Sequence, residues 1–159
     1  MRILIACEHS GVARLAFEEK GHDVWSCDMK EYCNAVEDKK HYIGDVTNIL
    51  NNGWDMMIAF PPLGDIGLIK ALGNANIEYI AIENPSSCLR KALGNDGFIQ
   101  VLNPYLVDHH INASALWLKH LPIVTRKYQP VGLVRKITRT KDKLITDSWL
   151  AKRMAEQWG

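Results

Sequence analysis

One pattern constrains this sequence more than any other: a short apolar run, an abrupt stop at acidic or turn-forming residues, then a segment with helical spacing, several times over. Arg2 to Cys7 is the first run, and it halts at Glu8-His9-Ser10-Gly11. Val12 to Lys20 then carries Val12, Leu15, Ala16 and Glu19 at helical spacing, Gly21 closes the helix, and His22 to Cys27 forms a second strand ending at Asp28. A strand, a helix of this length and a second strand make a right-handed parallel unit. The pattern continues with a strand at His41 to Gly44 before Asp45, a helical turn at Val46 to Asn51, and a buried strand at Trp54 to Phe60 halted by Pro61-Pro62. A helix over Ile66 to Leu72 leads to the run Glu78 to Ile82, which ends at Glu83-Asn84-Pro85, with Ser86 as cap of a helix through Leu93. Alternation of this kind predicts an α/β fold, an open and mostly parallel sheet with helices on both faces.

Beyond Gly97 the alternation weakens. Phe98 to Leu102, Ala115 to Leu118 and Val131 to Ile137 read as strands, and Thr146 or Asp147 caps a final helix to about Trp158, marked by Trp149, Leu150, Arg153 and Met154. The 159 residues fit a single domain, 1–159, and 47% hydrophobic with 23% charged residues excludes a disordered tail, a collagen-like repeat and a membrane bundle. No apolar stretch approaches a membrane span. Four cysteines, Cys7, Cys27, Cys33 and Cys88, form no CxxC pair, so no structural zinc or other metal site is expected. Met1 runs straight into Ile3-Leu4-Ile5-Ala6 without signal-peptide features, which reads as a cytoplasmic protein with reduced thiols.

The formal net charge is +1, unevenly spread. The segment 119–143 holds eight basic residues (Lys119, Arg126, Lys127, Arg135, Lys136, Arg139, Lys141 and Lys143) and one acid, Asp142, a local net of +7 that leaves −6 for the remainder. Such a segment fits phosphate contacts with duplex DNA, and it fits a solvated loop equally well on charge alone.

In a doubly wound sheet the ligand lies beyond the carboxyl ends of the strands. The residues there are Glu8 to Gly11, Asp28, Asp45, Pro61-Pro62 and Glu83-Asn84-Pro85. Acids at successive strand ends accept hydrogen bonds from ribose hydroxyls and an adenine amino group, and a glycine turn lets the backbone approach a ligand. Any one of these acids taken alone is better read as a helix-start residue that interacts with the dipole. The ordered set favours a nucleotide-like ligand.

The series Ile5-Ala6-Cys7-Glu8-His9-Ser10-Gly11, Cys27-Asp28, Gly44-Asp45-Val46, Asp55 to Pro62 and Ile82-Glu83-Asn84-Pro85 resembles the motifs of the DNA cytosine-C5 methyltransferases, and most closely their small phage and prophage members. The resemblance extends to Leu116-Trp117-Leu118-Lys119 and to Met154 through Gly159. It implies a Rossmann-like methyltransferase fold, S-adenosylmethionine or S-adenosylhomocysteine as cofactor, duplex DNA or a nucleotide-like ligand as partner, and a host-cell cytoplasmic setting. By the same resemblance Glu8, His9, Ser10 and Gly11 form the turn around the cofactor, Asp28 holds its ribose and Asp45 its adenine amino group, Val46 and Phe60 line the same site, and Glu83 bonds the ring nitrogen of a flipped cytosine beside Pro61 and Pro62.

Two departures bear on catalysis. The cysteine that the family places directly after the two prolines is Leu63 here, and only twenty residues, Leu63 to Ile82, separate Pro62 from Glu83, where relatives carry a longer loop and helix. Carbon five of cytosine becomes reactive only after a thiolate adds to carbon six. Phe60 also stands where amino-directed methyltransferases carry Asp, Asn or Ser. Cys88, five residues after Glu83, reads as a small packed residue and not as a relocated nucleophile, and Cys7, Cys27 and Cys33 read the same way. His109-His110 beside Asp108 reads as polar surface, and Trp117, Trp149 and Trp158 as packing residues. The expectation is a methyltransferase homologue that keeps its cleft and a DNA face without methyl transfer. The alternatives are an active enzyme with an unusual nucleophile and a non-enzymatic protein that binds a host protein.

Overall fold

The computed structural model describes residues 1–31, 39–102, 114–125 and 148–159. The elements are β1 (Arg2–Ala6), α1 (Val12–Glu18), β2 (Asp23–Asp28), β3 (His41–Ile43), a 3-10 turn at Val46–Asn48, β4 (Met56–Ala59), α2 (Ile66–Gly73), β5 (Tyr79–Pro85), α3 (Ser86–Leu93), β6 (Phe98–Val101), β7 (Ser114–Lys119) and α4 (Ser148–Trp158). The expected strand Val131 to Ile137, the caps Thr146 and Asp147, the pair His109-His110 and Cys33 lie outside the described residues.

The seven strands form one sheet in the order β3-β2-β1-β4-β5-β7-β6. The pairs from β3 to β5 are parallel, and β7 runs antiparallel to both β5 and β6. This is the mostly parallel α/β sheet that the sequence predicts. Alternate residues of each strand feed opposite cores, as the two-residue period of a strand requires. Ile3, Ile5, Met56, Ile58, Leu116 and Leu118 face α1 and α4 with Phe17, Leu150 and Met154. Leu4, Ala6, Met57, Ala59, Ile80 and Ile82 face α2 and α3 with Ile69, Leu72, Leu89 and Leu93. Helices therefore cover both faces.

Several boundaries differ from expectation. β1 stops at Ala6 because Cys7 takes a left-handed φ of 59°, which turns the chain out of the sheet. Ser86 is the first residue of α3, whose N-cap is Pro85 with no side-chain bond. Trp117 and Trp158 are buried, but Trp149 is exposed, because the buried stripe of α4 runs through Leu150, Ala151, Met154, Ala155 and Trp158. No helix among the described residues is long and apolar enough to cross a membrane.

Specific contacts tie down the amino ends of the parallel strands, beside a cavity lined by Met1, Met56, Tyr79, Leu121, Pro122 and Trp158. Lys119 Nζ donates to the Ile77 carbonyl at 3.0 Å, and the Trp158 indole donates to the Pro122 carbonyl at 3.0 Å. Gly97, with φ of 86°, lies so close to Trp117 that an added Cβ would sit 2.6 Å from the indole, and that indole also donates to the Asp96 carbonyl.

Candidate functional site

β1 feeds β2 on one side and β4 lies on the other, so the strand order reverses between β1 and β4, where an open α/β sheet leaves a crevice at its carboxyl end. The turn after β1 forms the floor. Gly11, with φ of 73°, is the N-cap of α1, and Glu8 N donates to the Cys27 carbonyl at 3.0 Å, tying the turn to β2. Glu8 is 2% exposed, and its Oε1 accepts from the Ser10 hydroxyl and from Ala13 N. Its Oε2 is buried with no partner among the described residues. His9 is half-buried in the same turn.

The ends of β2 and β3 meet beside that floor. Gly44 N donates to the Asp28 carbonyl at 2.9 Å, and the Cys27 thiol donates to the Gly44 carbonyl at 3.4 Å. This brings Asp28 and Asp45 to neighbouring strand ends. Asp28 Oδ1 accepts from Lys30 N at 2.9 Å. Asp45 Oδ1 accepts from the Thr47 amide at 2.9 Å and its hydroxyl at 2.8 Å, and these bonds, the amide first, hold its carboxyl below the usual carboxylate range. Val46 packs into the core directly beneath. Burial, then the charges of Cys27, Asp28, Asp45 and Asp65, pushes the Cys7 thiol up to about 12, and burial followed by Asp28 and Asp45 does the same to Cys27. Neither is a thiolate at neutral pH.

The other half of the rim belongs to β4 and β5. Phe60 N donates to the Ala6 carbonyl at 2.9 Å, extending the ladder one residue past β4. Ala59 pairs with Ile82, so Phe60 stands abreast of Glu83. Glu83 pairs with Leu116 on the other side, and both Phe60 and Leu116 belong to the core beneath α1 and α4. With apolar neighbours on both flanks, burial pushes the Glu83 carboxyl up to about 7. Pro61 is buried, and its carbonyl accepts from Asn84 Nδ2 at 3.0 Å, which fastens the loop after β4 to the end of β5. Asn84 is fully buried and its Oδ1 has no partner among the described residues. Pro62 is exposed, and Leu63 is 70% exposed. Asp65 caps α2 by accepting from Leu68 N at 3.0 Å. Cys88 packs against the core beneath α2 and α3.

The structure thus brings Glu8 to Gly11, Asp28, Asp45, Val46, Phe60, Pro61, Pro62, Leu63 and Glu83 to one end of the sheet. Lys119 is not there: it ends β7 at the opposite end, bound to the Ala75 and Ile77 carbonyls. Arg126, Lys127, Arg135, Lys136, Arg139 and Lys141 lie outside the described residues. Sequence reasoning assigned no role to Asn84 or Ser114, although a polar residue inside a buried run is a signal that a specific partner is required. No group of three or more metal-ligating side chains occurs among the described residues.

The sheet order, with one reversed strand among the described residues, defines the class: an α/β methyltransferase-like fold. No known family profile and no curated sequence matches the chain. Among solved structures it is similar to the Dnmt2 methyltransferase of S. pombe, with a TM-score of 0.51 and 16% identity over 74% of this chain and 48% of that one. It is also similar to a triple mutant of Spodoptera frugiperda DNMT2, with a TM-score of 0.52 and 16% identity over 90% of this chain and 56% of that one. The bifunctional kinase-methyltransferase WbdD aligns with a TM-score of 0.54 and 13% identity over 78% of this chain and 36% of that one. The chain therefore spans about half or less of these proteins' length, and what it shares with them is the fold.

Proposed function

We propose that this protein is a methyltransferase homologue that binds S-adenosylmethionine or its demethylated product in the crevice between β1 and β4, holds a nucleobase at Glu83, and does not transfer the methyl group. The observation that carries this reading is the contrast along the β4 and β5 rim. Glu83 is framed by Phe60 and Leu116, while the position after the two prolines is an exposed leucine. That leucine offers no nucleophile, and the two described thiols nearest the floor, half-buried Cys7 and buried Cys27, are both pushed up to about 12 and hold their protons.

The residues fit the cofactor. Asp28 and Asp45 would accept from its ribose hydroxyls and its adenine amino group. The buried Glu8 Oε2, which has no partner among the described residues, fits a ligand N–H group. When bound, the cofactor supplies an electrophilic methyl group on a sulfonium. Glu83, carrying a proton up to about pH 7, can donate to a ring nitrogen and accept from an adjacent amino group. Acid–base help of this kind is worth about 10²–10⁴-fold and does not replace a missing covalent addition. The basic segment would supply phosphate contacts through Arg126, Lys127, Arg135, Lys136, Arg139 and Lys141.

Tritiated methyl transfer to mixed-sequence DNA tests the proposal, with the native protein, Leu63→Cys and Cys88→Ser. The expected result is no incorporation by the native protein. Incorporation by the native protein that disappears in Cys88→Ser contradicts it and establishes an active enzyme with a relocated nucleophile. Incorporation gained only in Leu63→Cys shows that the thiol alone was missing.

A further inference from the structure

The two edge strands of the sheet are finished differently. At one edge β3 is short and has polar contacts around it: Lys40 Nζ pairs with Asp23 at 3.0 Å, and the His41 ring donates to the Lys30 carbonyl at 3.0 Å. At the other edge β6 reads Phe98-Ile99-Gln100-Val101, with Gly97 before it and Leu102 after it, and this stretch holds neither a charge nor a proline. Among the described residues β6 pairs only with β7. Leu102 N donates to the Ser114 carbonyl at 2.9 Å, one step beyond the pair of Val101 with Ala115. Hydrogen-bonded pairs alternate with non-bonded ones along an antiparallel ladder. Phe98, Gln100 and Leu102 therefore turn their backbone groups toward β7, and Ile99 and Val101 turn theirs outward. Phe98 and Val101 are both 56% exposed. An apolar edge without lysine, proline or bulge is a template for another strand.

We propose that β6 is a self-association edge, to which a second copy of this chain adds its own β6, antiparallel, across a two-fold axis at Gln100. In that register Ile99 N donates to the carbonyl of the partner's Val101, Val101 N donates to the carbonyl of the partner's Ile99, and the axis repeats both bonds. A slip of one residue sets outward groups against inward ones and reverses the faces. The side chains agree with the backbone. Ile99 packs against the core beneath α2 and α3, and Val101, two residues on, shares its face, so Val101 meets the partner's Ile99 and carries that core across the join. On the other face Phe98 meets the partner's Leu102, a residue of the core beneath α1 and α4. Gln100, on the axis, already donates to the Val124 carbonyl and accepts from Val124 N, both at 2.8 Å. The edge is thus its own complement, and no charge in it opposes a duplicate on a chain whose net charge is only +1. β5 and β7 separate this edge from the crevice between β1 and β4, so the proposal stands apart from the cofactor reading.

The test is sedimentation equilibrium of the full chain over a series of concentrations. The native protein is expected to pass reversibly from the mass of one chain toward that of two. Val101→Pro removes an outward N–H and leaves the ladder to β7 in place, because proline is tolerated on the open side of an edge strand. It is expected to weaken association roughly tenfold or more, since the axis deletes the bond twice. Val101→Lys, at a position already exposed, is expected to do the same with a near-native unfolding midpoint. Gln100→Cys reads the register: the non-bonded pair across the axis has Cα atoms about 4.5 Å apart, within disulfide range. Val101→Cys places its pair on a diagonal of about 7–8 Å, beyond that range. After oxidation Gln100→Cys is expected to run as a covalent dimer on a non-reducing gel, and Val101→Cys to run as the native protein does. The mass of one chain at every concentration overturns the proposal, and so does a dimer that Val101→Pro and Val101→Lys both leave unchanged. Crosslinking of Val101→Cys without that of Gln100→Cys overturns the register.

Discussion

The two ends of the sheet are built by different rules. At the amino ends of the parallel strands polar groups are paired: Lys119 with the Ile77 carbonyl, His120 with the Glu78 carbonyl, Trp158 with the Pro122 carbonyl and Arg2 N with the Asp55 carboxylate, with His22 Nε2 a buried exception. At the carboxyl ends Glu8 Oε2, Asn84 Oδ1 and Ser114 Oγ are buried without partners among the described residues, and Glu83 is pushed up to about 7. Leaving a buried polar group unsatisfied costs about 1–3 kcal/mol. In the proposed reading, the end where these groups lack partners among the described residues is the one that faces the ligand.

Breaking the closed end is expected to cost the most stability and to leave ligand selectivity alone. Gly97→Ala forces a left-handed residue to carry a Cβ against the Trp117 indole, and a loss of roughly 2–4 kcal/mol in urea unfolding is expected. At the open end the effect moves to binding. Asp28→Ala and Asp45→Ala are each expected to cost roughly 1.5–3 kcal/mol of cofactor affinity by calorimetry. Their unfolding midpoints should stay near native, because among the described residues both side chains bond within their own loops.

Glu83 gives the comparison a pH axis. Its folded pKa of about 7 lies above the ordinary 4.5, so the folded state holds a proton that the unfolded state releases between those values. Stability attributable to this group is therefore highest below pH 4.5 and declines as pH rises toward 7. Glu83→Gln, neutral throughout, is expected to match the native protein at pH 4.5 and to exceed its stability by about 1–3 kcal/mol at pH 8. Equal unfolding free energies at pH 8 would place Glu83 in a more hydrated setting than the register gives it.

The smallest effect concerns DNA. Neutralising Arg135, Lys136 and Arg139 is expected to flatten the salt dependence of duplex binding by nearly one logarithmic slope unit for each phosphate that these side chains engage. Lys119→Ala should leave the slope unchanged, since its ammonium is held by the Ala75 and Ile77 carbonyls. A slope that falls with Lys119→Ala would mean that DNA reaches the closed end.

This asymmetry was only partly legible in the sequence. The runs Ile3 to Ala6, Met56 to Ala59 and Ile80 to Ile82 announced buried strands because both faces of the sheet are covered, and the acids after them marked the carboxyl rim. Direction was not legible: Ala115 to Leu118 is as apolar as the parallel strands, and nothing in a short apolar run records that β7 is reversed. That reversal carries Lys119 away from the rim and delivers Ser114 to it. The role of Asn84 depends on its bond to Pro61, twenty-three residues earlier, which a local pattern does not encode. The early end of β1 follows from the left-handed φ of Cys7, a choice made by the turn as a whole.

Isothermal calorimetry of the native chain with S-adenosylmethionine, at neutral pH and low salt, tests most directly whether the open end of the sheet is a cofactor crevice. The account predicts saturable binding of one molecule per chain, weakened at least tenfold in Asp28→Ala. Absence of binding, or binding that Asp28→Ala and Asp45→Ala both leave unchanged, would contradict it.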